Sequence, residues 1–120
     1  MHETAIACEI MRQACSACRN AGAAHISRIE IEVGGSSGID SSLLRETLRL
    51  ACRQLSPKHR IEIDLIEIPV QARCLTCNAV FTPSALFMPC PACAGYRYEI
   101  TQGEELRLRA VWIEQPDYSE

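Results

Sequence analysis

One segment constrains this chain more than any other: CLTCNAVFTPSALFMPCPAC, in which Cys74 and Cys77 are followed, after twelve intervening residues, by Cys90 and Cys93. Each Cys-x-x-Cys turn aims two thiolates at one point, and two such turns complete a tetrahedral zinc site with Zn–S bonds of about 2.3 Å. All four coordination positions are then filled by protein. No water can be activated there, so the expected zinc is structural. A segment of roughly twenty residues cannot bury enough apolar surface to fold alone, and the metal supplies that free energy. Val80, Phe81, Leu86 and Phe87 are expected to cover the small core. Residues 74–93 contain no Lys or Arg. Phosphate contacts need such charges, which argues against nucleic acid as a partner of the finger.

The rest of the chain allows one main core. Its 120 residues are too few for two full ones. Hydrophobic residues at 48% and charged residues at 22% are values of a folded globular protein. A net charge of −3 gives no broad positive field, so neither nucleic acid nor an anionic membrane is an expected partner. No basic segment followed by an apolar run opens the sequence, and no stretch reaches the ~20 apolar residues of a membrane span. The expectation is a cytoplasmic protein, in which thiols stay reduced and the eight cysteines are not a disulfide framework.

Hydrophobic spacing predicts the elements. Over residues 4–21, Ala7, Ile10, Met11, Ala14, Cys15, Cys18 and Ala21 recur every three or four positions, the stripe of an amphipathic helix, and Gly22 is a natural stop. Ile29, Ile31 and Val33 then alternate with Arg28, Glu30 and Glu32 in a strand of an open sheet that ends at Gly34-Gly35. A second helix has Asp40 or Ser41 as its N-cap, a stripe of Leu44, Leu48, Ala51, Cys52 and Leu55, and Pro57 beyond its end. Two later strands each change phase. Ile61, Ile63 and Leu65 give way to Ile66, Ile68 and Val70, consistent with a bulge near Leu65, and Leu106 and Leu108 give way to Val111 and Ile113. The matching slips predict that these two strands pair, with the finger at the tip of a long hairpin. The predicted fold is α+β: two helices packed on a small sheet, with a zinc ribbon inserted between two long strands.

Three further groups carry possible chemistry. Cys15 and Cys18 form a third Cys-x-x-Cys, but it sits inside a helical pattern with no preceding strand and no proline, unlike a thioredoxin-type redox motif. The simpler reading is of small core hydrophobes, extended here to Cys8 and Cys52. His25 and His59 precede strands in polar loops and are expected to be solvated. His2 differs because it follows Met1. A free amine, the backbone amide of residue 2 and an imidazole can lie in one plane around a metal, a nitrogen set suited to Ni(II) or Cu(II). The first N–H groups of a helix have no intrahelical partner, so displacing amide protons there breaks no ladder bond. Glu3 adds a negative charge near the positive helix end or an oxygen ligand.

Taken together, the Met1–Glu3 start, the first helix, IEIEVG with Ser37-Gly38 after it, a second helix with Leu43, Leu44 and Leu48, the C-x2-C/C-P-x-C finger and GEEL at 103–106 resemble the HypA/HybF family of nickel metallochaperones end to end. The resemblance implies that His2, with the Met1 amine and nearby amides, binds nickel beside Glu3, the charge or oxygen ligand of the preceding reading, and that Cys74, Cys77, Cys90 and Cys93 hold zinc. It implies a nickel-binding α+β domain of residues 1–72 and 101–120 and a zinc-ribbon domain of residues 73–100. It further implies a carrier rather than an enzyme, which delivers nickel to the [NiFe]-hydrogenase large-subunit precursor in concert with a HypB-type GTPase. Urease is served by some members. Two departures stand out: Gly35 and Ser36 replace the family's acidic and leucine residues, and Ala94 replaces its glycine or histidine. No histidine lies between Cys74 and Cys93, so the nickel site must be completed from the terminus or a partner. The rival readings are a zinc-ribbon adaptor that transfers no nickel and a thiol oxidoreductase using Cys15 and Cys18.

Overall fold

The computed structural model describes residues 3–83 and 88–115. Met1 and His2 of the predicted nickel site, and Leu86 and Phe87 of the predicted finger core, lie outside the described residues. The element order is α1 (Glu3–Asn20), β1 (His25–Gly34), α2 (Ser41–Leu55), β2 (Glu62–Ile68), β3 (Gln71–Cys74), β4 (Val80–Phe81), β5 (Tyr98–Gln102) and β6 (Leu106–Glu114). The chain forms two compact units, one of Met1–Glu32, Ile39–Ile66 and Arg107–Glu120, the other of Val33–Gly38 and Glu67–Leu106.

In the first unit, α1 buries Ala7, Ile10, Met11 and Ala14, four of the stripe residues expected from spacing. It stops where Gly22, at φ +64°, closes a Schellman turn, with Gly22 N donating to Arg19 O and Ala23 N to Cys18 O. Helix α2 begins at Asp40, whose carboxylate accepts from Ser42 N at 3.0 Å and Leu43 N at 3.2 Å. It buries Leu44, Leu48 and Cys52, and the Cys52 thiol lies 3.9 Å from the Met11 sulfur across the interface between the helices. Ile26, Ile29 and Ile31 of β1 complete the core.

The strand order is β2-β1-β6, so β1 is central and the two phase-slipped strands flank it. The expected β2–β6 hairpin is therefore incorrect. Both slips are real, since Leu65 and Ile66 are consecutively sheltered in β2 and Ala110 and Val111 in β6. They mark two strands on opposite edges of one twisted partner rather than a mutual register. A period of two reports which face a residue occupies, not which neighbour it has. Charge stitches the outer face: Arg28 on β1 reaches Asp64 at 2.8 Å and Glu62 at 3.5 Å on β2, and lies 5.1 Å over the Trp112 ring of β6.

In the second unit, the loop after β1 is clamped by its backbone. Gly34 N donates to Glu105 O, Gly35 N to Ile68 O, and Ser36 N and Oγ both to Gly103 O. A Cβ on Gly34 would stand 2.0 Å from the Gly103 carbonyl oxygen, and one on Gly103, at φ +107°, would meet Val70 Cα at 2.6 Å. The glycine pair at 34–35 is thus a close-packing requirement as well as a strand end. Gly34→Ala is expected to destabilise the protein by about 3 kcal/mol, the upper end of the overpacking range, because backbone cannot rotate out of the way. Urea unfolding of the variant measures this. A loss below about 0.5 kcal/mol, the size of an ordinary surface substitution, would show that the approach is not tight.

The finger sheet of this unit has the order β4-β3-β5, both pairs antiparallel, with Ala72 opposite Phe81 and Cys74 opposite Tyr98. Its core is Ala72, Cys74, Phe81 and Cys90, packed by Ala79, Met88, Tyr98 and Ile100. Phe81 and Tyr98 meet edge to face at 5.1 Å. The expectation for Phe81 holds. Val80, however, is 63% exposed, because adjacent residues of a strand face opposite sides and only one of the pair can point inward.

Candidate metal centre

The two Cys-x-x-Cys turns of the finger have the same backbone construction. In the first, Asn78 N donates to Cys74 O and Cys74 N to Ala79 O; in the second, Ala94 N donates to Cys90 O and Cys90 N to Gly95 O. The residue after the second cysteine of each turn is left-handed, Asn78 at φ 64° and Ala94 at φ 61°. Asparagine tolerates that conformation, whereas alanine adopts it at a cost of about 1–2 kcal/mol, which the surrounding structure must offset.

This repetition brings the four thiols together. All four Sγ atoms lie within 4.8 Å of one another, with Cys74 and Cys93 at 3.6 Å and Cys77 and Cys90 at 3.7 Å. A tetrahedron with ~2.3 Å Zn–S bonds has edges of about 3.8 Å, so the donor set fits one zinc ion. Cys74 and Cys90 are buried on the core side, and Cys77 and Cys93 face outward. Among the described residues no other group of three or more His, Cys, Asp or Glu side chains has this convergence.

Hydrogen bonds prepare the charge. The amides of Cys77 and Thr76 point at the Cys74 sulfur, Thr76 N at 3.4 Å, and hold that thiol down to about 6. At Cys77 the Ala79 amide pulls the same way, but burial and the neighbouring thiols outweigh it and push this group up to about 12. Cys93 is also raised, where burial and the Cys74 and Cys90 thiols outweigh the Gly95 amide. The Cys74 thiolate is easily formed, and those of Cys77 and Cys93 are not. A dication is what allows all four to ionise together.

At the other end of the chain, Glu3 opens α1. It is only 9% exposed, and its Oε2 accepts from the backbone N–H of Asp40 at 3.1 Å. Asp40 simultaneously caps α2. The first residue of one helix is therefore tied to the cap of the other, a link that spacing alone does not reveal. The other predicted nickel residues, Met1 and His2, lie outside the described residues.

The remaining thiols and imidazoles divide. Cys52 is buried, and burial, with the nearby Cys15, pushes its thiol up to about 11, as befits an unreactive core group. Cys15 and Cys18 are half-buried on α1. Cys8 is exposed, against the expectation of a core position, because it lies off the stripe of Ala7, Ile10, Met11 and Ala14. His25 and His59, expected to be separate solvated loop residues, stack on each other with ring centroids 3.9 Å apart and planes 5° from parallel. No helix among the described residues is long and apolar enough to cross a membrane.

Known proteins match this arrangement along nearly its whole length. The model of the family described as "Hydrogenase/urease nickel incorporation, metallochaperone, hypA" matches residues 1–113. The hydrogenase maturation factor HypA of Chlorobaculum parvum is 32% identical over 114 residues, covering 95% of this chain and 100% of its own. That of Parabacteroides distasonis is 33% identical over 113 residues, covering 94% and 97%. Among solved structures, the Ni metallochaperone HypA from Helicobacter pylori superposes with a TM-score of 0.66 at 25% identity, covering 97% of this chain and 100% of that one. A second HypA solution structure gives 0.68 at 27% identity, covering 94% and 96%. With the finger, the helices and the sheet all inside the matched span, the chain belongs to the HypA family.

Proposed function

We propose that this chain carries Ni(II) for [NiFe]-hydrogenase maturation, binding it at the N-terminus and holding a structural zinc in the finger. The observation that carries this reading is the combination, in one HypA-family chain, of the four converging thiols with a Met1-His2-Glu3 start. In the finger, Cys74, Cys77, Cys90 and Cys93 fill every zinc position, so zinc supplies folding energy and no reaction step. Nickel, the cargo, takes the Met1 amine, the His2 imidazole and backbone amides. Glu3, which anchors the start of α1 to Asp40, adds negative charge beside this nitrogen set. The nickel-binding domain comprises residues 1–72 and 101–120 and the zinc ribbon residues 73–100. The protein works in the cytoplasm as a carrier without catalytic activity. Its partners are a HypB-type GTPase and the hydrogenase large-subunit precursor.

A transfer assay checks this. Nickel-loaded protein mixed with the GTPase, GTP and the metal-free precursor is expected to lose its nickel to the precursor while keeping its zinc, read by metal analysis after separation. Were the zinc lost together with nickel, or the nickel retained with all partners present, the carrier role would be wrong and the adaptor reading would take its place.

A further inference from the structure

A groove within the first compact unit has no part in either metal site. It encloses about 930 Å³ between the C-terminal half of α2, the turn that follows and the start of β2. Its floor includes the buried side chains of Cys52 and Ile61. Its walls hold five of the chain's twelve Lys and Arg residues, Arg28, Arg49, Arg53, Lys58 and Arg60, against two carboxylates, Glu62 and Asp64. In a protein of net charge −3 this is a strong local concentration of positive charge.

The cations are not equivalent. Arg28 is held by Glu30, Glu62 and Asp64, which occupies both carboxylates of the groove, and Arg49 pairs with Glu46 at 3.0 Å. Arg53, Lys58 and Arg60 are exposed and make no ion pair among the described residues. Arg53 in the last turn of α2 also complements the helix dipole. Lys58 and Arg60 lie beyond the helix end, where that explanation does not reach.

We propose that this groove binds an acidic peptide segment of a partner protein, one with two or three carboxylates flanking an aliphatic side chain. The volume is at the upper end of the ~300–1,000 Å³ range of small-molecule sites, far more than a phosphate ion fills. The three unpaired cations supply the complementary charge, and the Cys52–Ile61 floor takes the aliphatic group. Nucleic acid fits less well. No Phe, Tyr or Trp lines the groove for base stacking, and the overall charge is negative. The inference stands on the groove alone and does not depend on the nickel reading.

The probe is a blocked, fluorescently labelled heptapeptide of glutamate and leucine, titrated into the zinc-loaded full chain, with amide NMR shifts recorded in parallel. Shifts are expected at residues 49–64. Arg53→Glu combined with Lys58→Glu should weaken binding by at least about tenfold, and raising the salt should weaken the parent complex as well. Arg97→Glu, at an exposed position of the finger, should leave the affinity unchanged. If charge reversal harms folding, Arg53→Gln with Lys58→Gln should still weaken binding several-fold. Unshifted amides at 49–64, or unchanged affinity in a folded double variant, would overturn the proposal. A single-stranded oligonucleotide of equal charge that displaces the peptide and binds more tightly would overturn it too, in favour of a nucleic-acid groove.

Discussion

His2→Ala, or any tag fused upstream of Met1, is expected to abolish tight nickel binding while zinc content and fold persist. The reason lies in the chelate. In the proposed site the amine, the residue-2 amide and the imidazole form linked rings around one metal, and square-planar Ni(II) gains little when water replaces a nitrogen. Losing the imidazole removes one donor. Adding residues upstream leaves an amine, but moves it out of the ring that contains His2. Each loss should exceed the roughly 10–100-fold that removal of an outer-shell partner costs a metal site. The yellow, diamagnetic signature of planar Ni(II) should vanish with the affinity. Calorimetry and absorbance on native-terminus, tagged and His2→Ala proteins make the comparison. Unchanged affinity and spectrum in the tagged protein would exclude the amine as a ligand, and unchanged values in His2→Ala would move the site elsewhere.

The second large effect belongs to the finger. Cys74→Ser removes the sulfur that two amides prepare for ionisation and that also lies in the small core with Ala72, Phe81 and Cys90. Structural zinc in finger peptides binds with about 10–16 kcal/mol of apparent free energy, so a site missing one thiolate should lose most of its zinc. The paired strands β3, β4 and β5 should lose their protection from amide exchange, while the helical circular dichroism of α1 and α2 remains. Acid should act in the same direction. Thiolate is the liganding form, so protons compete with zinc and release rises as pH falls. A chromogenic chelator follows release, and exchange mass spectrometry follows the strands. Full zinc retention by Cys74→Ser would contradict the tetrathiolate assignment.

The parts of this molecule that were legible in advance are those governed by local chemistry. The finger spacing announced four converging thiols because a Cys-x-x-Cys turn is a complete local device, repeated here down to its hydrogen bonds. Both helices followed from apolar stripes bounded by Asp40 and Gly22, whose capping roles need only a few residues of context. What stayed hidden is non-local. Alternation gave β2 and β6 the right faces but not their neighbour, and β1 stands between them. Val80 looked as apolar as Phe81, and only the pairing with β3 decides which of them points inward. Nothing near His25 predicts its stacking on His59, and nothing near Gly34 announces the carbonyl of Gly103. The basic groove is of the same kind, since Arg28 and residues 49–64 meet only after the sheet forms. The sequence marks Glu3 as a charge at a helix end or an oxygen ligand, and its hydrogen bond to Asp40 adds a partner 37 residues away.

We propose that one chain holds two metals at two independent sites, nickel at the terminus and zinc in the finger. Native mass spectrometry of protein with an unextended N-terminus, exposed to a small excess of nickel and then desalted, counts them directly. The predicted result is one zinc and one nickel per chain for the parent, one zinc and no nickel for His2→Ala, and one nickel with little zinc for Cys74→Ser, whose retained nickel marks the terminal site. A parent that takes up zinc alone, or a His2→Ala protein that still carries one nickel, would contradict it.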